Sequence, residues 1–165
     1  MARKCFFSFH YKPDSWRAST IRSIGAIEGN QPALDNDWEK VTEGGDEEIQ
    51  KWIDSQMKGR TCAIVLIGSN TAKRKWIDYE IKKAWSNKMG LLGIYIHGIK
   101  DSEEKTSSQG ADPFAHFTLG DDKKELSSIV QIYNPVGTDS KARYNYIAEN
   151  IDSWIEKAIE TRNKY

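Results

Sequence analysis

The chain has 165 residues, the length of one ordinary domain with room for a core. Lys plus Arg and Asp plus Glu balance at 24 each, which argues against a protein whose main task is holding nucleic acid. Apolar residues make up 38% and charged residues 29%, so the chain reads as globular rather than disordered, and no stretch approaches the ~20 apolar residues a membrane helix needs.

The N-terminal Met-Ala-Arg-Lys leads into an apolar run, Cys5 to Phe9, too short for the apolar region of a secretory signal. With no export signal and no disulfide framework, the expected location is cytoplasmic. Cys5 and Cys62 both sit in apolar runs and read as small core residues. No Cys/His spacing suggests a metal site.

Cys5 to Phe9 is predicted as a first buried strand, followed by a loop over His10 to Pro13. Asp14 or Ser15 then caps a helix running to about Gly25. Gly29 to Pro32 mark a turn, and Asp37 to Val41 are expected to hold a short second strand. After Gly44-Gly45-Asp46, the residues Ile49, Trp52, Ile53 and Met57 fall at helical spacing, with Gly59 as the stop. Cys62 to Ile67 is the clearest strand, apolar on both faces like the centre of a parallel sheet.

Asn70 or Thr71 is expected to cap a helix with Trp76, Ile77, Ile81, Ala84 and Trp85 on one side, closed by Gly90. Leu91 to Ile96 form the next buried strand. Lys100 to Asp122 is polar and without period, and a connection of that length is usually functional or mobile. A last strand over Ser128 to Tyr133 and a long amphipathic helix from Tyr144 to Ile159 complete the pattern. The expectation is one α/β domain over residues 1–165, a doubly wound parallel sheet of about five strands. Its variable loop lies around 100–127 and its C-terminal helix around 140–162.

In such sheets the ligand crevice lies beyond the carboxyl ends of the strands. That rule selects Ser8, Phe9, His10 and Tyr11 after the first strand, Gly68, Ser69, Asn70 and Thr71 after the central one, and His97 to Lys100 after the next. On the helix that follows, Trp76 and Glu80 are four residues apart and share a face. Taking Trp76 as 0°, Glu80 falls at roughly 40°, Ala84 at roughly 80° and Ile77 at roughly 100°. Glu80 thus lies inside an apolar arc beside an indole, while Asp78 points elsewhere, toward solvent.

A carboxylate in that arc is costly to keep ionised unless something pairs with it. From spacing alone the plainer reading is a structural ion pair with Lys73 or Lys83. The functional reading has Glu80 stabilise positive charge on a substrate while Trp76 offers a flat face to a ring. Lys73-Arg74-Lys75 is able to meet phosphates, though such a run is more often a solvated face. His10 and His97 read as hydrogen-bonded histidines rather than catalysts. Gly44-Gly45 lacks the ending of a phosphate-binding P-loop.

Phe6-Phe7-Ser8-Phe9-His10-Tyr11 resembles the first motif of TIR domains, and Ser69 through Trp76 to Glu80-Ile81 resembles their Ser, Trp, Glu-Leu pattern. Gly93-Ile94, Lys100-Asp101 and Gly110-Ala111-Asp112-Pro113-Phe114 extend the likeness to the TIR-like subunit of the Thoeris antiphage defence system. The resemblance runs from about residue 3 to about 117. It implies a flavodoxin-like fold, with NAD+ as substrate rather than recycled cofactor. It implies Glu80 as the catalytic glutamate and Trp76 at the nicotinamide site, with Ser8, Phe9, His10, Tyr11, Ser69 and Asn70 as substrate-binding neighbours.

The implied reaction breaks the bond between nicotinamide and ribose and makes a cyclic ADP-ribose-type signal, or a related ADP-ribose conjugate, for a separate effector protein. Loops at Tyr11 to Ser15, Asp35 to Asp46 and Lys100 to Asp122 are the candidates for excluding water. The competing expectation is a TIR-like interaction module without catalysis, as in receptor and adaptor TIR domains. A phosphoacceptor fits less well, because His10-Tyr11-Lys12 supplies no paired acids. Self-association stays open, since Trp38 to Asp46 does not map onto the loop that drives it in many TIR domains.

Overall fold

The structure, a computed structural model, describes residues 3–24, 27–29, 45–119 and 123–165; for residues 11–13 and 27–29 it describes the backbone alone. In chain order the elements are β1 (Arg3–Ser8), α1 (Tyr11–Arg22), β2 (Ile27–Gly29), α2 (Asp46–Met57), β3 (Cys62–Ile67), α3 (Lys75–Ser86) and β4 (Gly90–Tyr95). There follow a two-stranded hairpin of β5 (Thr118–Leu119) and β6 (Lys124–Glu125), a 3₁₀ turn (Leu126–Ser128), β7 (Gln131–Tyr133) and α4 (Ser140–Asn163). None of the described helices is long and apolar enough to cross a membrane.

Among the described residues the main sheet has five strands in the order β2-β1-β3-β4-β7, all parallel. This is the flavodoxin-like order, whose switch point lies between β1 and β3. The two faces follow from the period-2 alternation of strand side chains. Cys5, Phe7, Cys62, Ile64, Leu66, Leu92 and Ile94 face α1 and α4, where they meet Ala18, Ile21, Ile147, Ile151 and Ile155. Phe6, Ala63, Val65, Ile67 and Leu91 face α2 and α3, where they meet Ile49, Ile53, Met57, Ile77, Ile81 and Ala84. All six residues of β3 are buried, as their unbroken apolar run requires. Cys5 and Cys62 are register partners across β1 and β3, buried and unbridged.

Several expected boundaries move. The second described strand is β2 at Ile27–Gly29, so Gly29 ends a strand; the Asp37–Val41 strand lies outside the described residues. Helix α1 starts at Tyr11, with His10 rather than Asp14 at its N-cap, and Asp14 is buried within the first turn. Helix α3 starts at Lys75, after an Arg74 N-cap, and not at Asn70 or Thr71. Thr71 is buried, and its Oγ1 accepts a hydrogen bond from the Gly68 amide at 2.8 Å, so it shapes the loop after β3 instead of capping a helix. The last strand keeps only Gln131–Tyr133, because residues 126–128 close a 3₁₀ turn that buries Leu126.

The stretch from Lys100 onward, expected to be functional or mobile, is anchored over much of its described length. The Asp112 carboxylate accepts the Phe114 amide at 2.7 Å, and Phe114 is fully buried against the α2–α3 face of the sheet. A Cβ on Gly93 of β4 would lie 3.0 Å from the Phe114 ring, so the strand leaves space for it. Asp101 folds the earlier part of the stretch by accepting the Glu103 and Lys105 amides at 2.9 and 3.0 Å. Phe114→Ala is expected to cost about 3–5 kcal/mol, the usual range for emptying a fully buried phenyl site. The shift in urea midpoint measures it; a cost near zero would mean the loop is not anchored there.

Candidate functional site

The β1–β3 switch point opens into a cavity of about 860 Å³. Phe9 and His10 reach it from the end of β1, Ser69 and Asn70 from the loop after β3, and Trp76 and Glu80 from α3. Six of the residues expected at a ligand site are therefore brought together. Ser8 lies behind them: it shares a face with Phe6, toward α3, and is buried near Glu80. Tyr11 opens α1 directly after His10, and its side chain is outside the described set. His97 does not line the cavity, and its Nδ1 is buried with no hydrogen-bond partner among the described residues. Burial first, then Arg143 and Arg17, lower its pKa.

Glu80 is 8% exposed and sits in the buried stripe of α3 with Ile77, Ile81 and Ala84. Three of those four positions are apolar, so the helix docks on the sheet by an ordinary core stripe with one carboxyl in it. The ion pair that spacing alone favoured is not formed. Lys83 lies 3.9 Å from Asp54 instead, Lys73 is exposed, and Glu80 has no ion-pair partner among the described residues. Its Oε2 has no hydrogen-bond partner there, nor has Ser8 Oγ. Burial pushes the Glu80 pKa up to about 8, and the nearby Ser8 hydroxyl pulls the other way. Because neither Ser8 Oγ nor Glu80 Oε2 has a partner of normal geometry, desolvation rules this carboxyl.

Trp76, one helical turn away, is partly exposed at the cavity. Its ring meets Tyr79 edge-on at 5.8 Å between centroids, and Lys75 Nζ lies 4.9 Å over it. Lys75 also pairs with Asp46 of α2. Asp78 is not simply solvated: it accepts or shares a hydrogen bond with His116 Nε2 at 3.0 Å, which ties α3 to the long loop.

Two features that the sequence reading missed hold the loops in place. Asp14 and Arg17 of α1, 1% and 3% exposed, form a buried ion pair at 2.9 Å. Arg17 also donates to the carbonyls of Ile99 at 2.6 Å and Lys105 at 2.9 Å, so one guanidinium binds α1 to the loop after β4. Farther along that loop, Gly110 presses on the loop after β3: a Cβ there would lie 2.1 Å from the Gly68 carbonyl oxygen. A Cβ on Gly68 would in turn lie 2.1 Å from the Asp14 carboxylate. The contact brings Ala111 to the cavity wall. The Asp-x-x-Arg spacing on α1 was the available signal, since i,i+3 residues on a helix are neighbours. Assigning Asp14 to a cap hid it.

A parallel sheet of this order, with a carboxyl and an indole on the helix after its central strand, defines an α/β protein of the TIR-like class. The sequence matches the family described as Thoeris protein ThsB, TIR-like domain, over residues 6–101. It is 31% identical over 133 residues, 76% of this chain and 69% of the relative, to a Bacillus cereus (strain MSX-D12) protein named "Putative cyclic ADP-D-ribose synthase ThsB1". The chain belongs to the Thoeris ThsB TIR-like family.

The orphaned carboxyl has a consequence for stability. Between pH 4.5 and about 8 the folded chain keeps a proton on Glu80 that the unfolded chain has released. This contribution to stability is full at the acidic end, falls as pH rises through that window, and is level above it. Glu80→Gln removes the fall. Its urea midpoint is expected to gain on that of the wild type as pH rises from about 5 to above about 8. Parallel pH profiles for the two proteins would show that Glu80 titrates normally.

Proposed function

We propose that this chain cleaves NAD+ at the nicotinamide–ribose bond and passes the ADP-ribosyl group to an acceptor, forming a cyclic ADP-ribose-type signal or a related conjugate. The observation that carries this reading is Glu80, a buried carboxyl without a counter-charge among the described residues, which lines a nucleotide-sized cavity beside Trp76. A purely structural carboxyl in an apolar stripe gains nothing from lacking a partner. A carboxyl that meets a cationic ligand gains one when the ligand arrives. Family membership, and the name of the relative as a cyclic ADP-D-ribose synthase, point the same way.

The chemistry follows from the groups present. Nicotinamide in NAD+ is already cationic, so it leaves with the electron pair of the glycosidic bond and needs no general acid. The ribose left behind is oxocarbenium-like, as in glycoside hydrolysis. One carboxylate then suffices: Glu80 offsets the developing positive charge and holds ribose hydroxyls, while Trp76 holds the nicotinamide ring. Ser8 lies beside the carboxyl, and Phe9, His10, Ser69 and Asn70 shape the rest of the pocket. Water as acceptor gives ADP-ribose and a proton. An atom of the same nucleotide's adenosine part gives the cyclic product, which requires water to be kept out. The loop tied down by Arg17 and Gly110 serves that purpose. In the Thoeris setting the product acts on a separate effector.

Two outcomes are expected when nicotinamide release is followed with purified protein, with phage-infected lysate added as a trigger if needed. Glu80→Gln, folded, is at least about a hundredfold slower than wild type, the usual loss when a transition-state electrostatic partner is removed. For the wild type, kcat/KM rises with pH toward a plateau above about 8, since the ionised Glu80 is the working form and kcat/KM reports the free enzyme. Equal turnover by Glu80→Gln would refute the assignment.

A further inference from the structure

We propose that Lys73 and Arg74 form a diphosphate-binding subsite in the Glu80 cavity. They would set a preference for dinucleotides over nicotinamide compounds that lack the diphosphate. The inference rests on the cavity being the nicotinamide-nucleotide site.

Lys73 and Arg74 line the same cavity as Glu80. They are exposed where Glu80 is buried, and Lys75 lines the cavity with them, so the cavity carries a buried carboxyl and three exposed cations. A dinucleotide with a cationic nicotinamide and an anionic diphosphate has the complementary charges. The next residue, Lys75, is already committed to Asp46 and to the Trp76 ring. Lys73 and Arg74 have no ion-pair or hydrogen-bonding side-chain partner among the described residues.

The backbone adds to the cations. Arg74 is the N-cap of α3 and its side chain offers no capping acceptor, so among the described residues the first-turn amides of this 12-residue helix have no side-chain cap. Uncapped amides at a helix start favour anions. The independent sign that a ligand belongs here is the unpartnered Glu80 Oε2. Arg74 and Glu80 are six positions apart, about 9 Å along the helix at roughly 1.5 Å per residue. That matches the reach from a glycosidic carbon across its ribose to the phosphates.

The test uses ADP-ribose, which carries the diphosphate without nicotinamide, in calorimetric binding to the full chain. It is paired with steady-state cleavage of NAD+ and of nicotinamide riboside. Lys73 sits at φ +64°, so Lys73→Gly removes the cation without straining the backbone. Arg74→Gln removes the second charge, and Arg74→Lys is the conservative control. The subsite predicts that each charge-removing variant weakens ADP-ribose about tenfold, and that the double variant raises KM for NAD+ while kcat changes little. Nicotinamide riboside cleavage is unaffected, and Arg74→Lys recovers part of the affinity.

Wild-type affinity for ADP-ribose in the folded double variant overturns the subsite, as does no saturable binding to the wild type. If the wild type binds ADP-ribose through these residues yet cleaves no NAD+, the cleavage reading fails and the subsite stands. If the wild type cleaves NAD+ and the double variant matches it in KM, the subsite fails and the cleavage reading stands.

Discussion

The account depends on one electrostatic constraint: a carboxyl in the core-facing stripe of α3 with no cation to neutralise it among the described residues. Burying an ionised group without a partner costs more than a small domain can spare, so burial keeps Glu80 protonated near neutral pH. A ligand that brings positive charge reverses the balance. The same low-polarity surroundings that hold the proton on the carboxyl strengthen its attraction to a cation once it ionises. The fold therefore bears a local electrostatic cost that a proton on Glu80 meets near neutral pH and that, in the proposed function, a cationic ligand would meet when bound.

The rest of the structure keeps that carboxyl in place and its cavity shaped. Alternation along β1 puts Ser8 on the α3 face beyond Phe6, where the apolar surface ends. The buried Asp14–Arg17 pair fastens α1 to the loop after β4, and Gly110 lays that loop against Gly68. Removing Arg17 would leave Asp14 buried and unpaired, which is where such pairs exert their largest effect. Phe114 anchors the far end of the loop in the core. Three strand ends are thus joined by contacts that are mostly buried, giving the cavity fixed walls.

Much of this was legible in the sequence. The unbroken apolar run of β3 announced a central parallel strand, and helical spacing put Glu80 beside Trp76 within an apolar arc. Carboxyl-end placement selected Phe9, His10, Ser69 and Asn70, all of which line the cavity. What spacing did not decide was whether Glu80 paired with Lys73 or Lys83, because both partners are available to a helix and only the packing with α2 directs Lys83 to Asp54. The start of α3 was misread because Thr71 is as good a loop-shaping acceptor as it is a cap. The long polar stretch hid its order because its anchors, Asp101, Gly110 and Phe114, act singly and leave no period.

The most direct measurement is a carbon-13 NMR titration of the Glu80 side-chain carboxyl, assigned by comparison with Glu80→Gln. It is made on the free protein and again with carba-NAD+, an analogue that keeps the cationic nicotinamide but resists cleavage. The account predicts a midpoint near 8 in the free protein and a fall of more than a unit with the analogue bound. A midpoint at the ordinary value of 4.5 in the free protein, or one that the cationic analogue leaves unmoved, would contradict it.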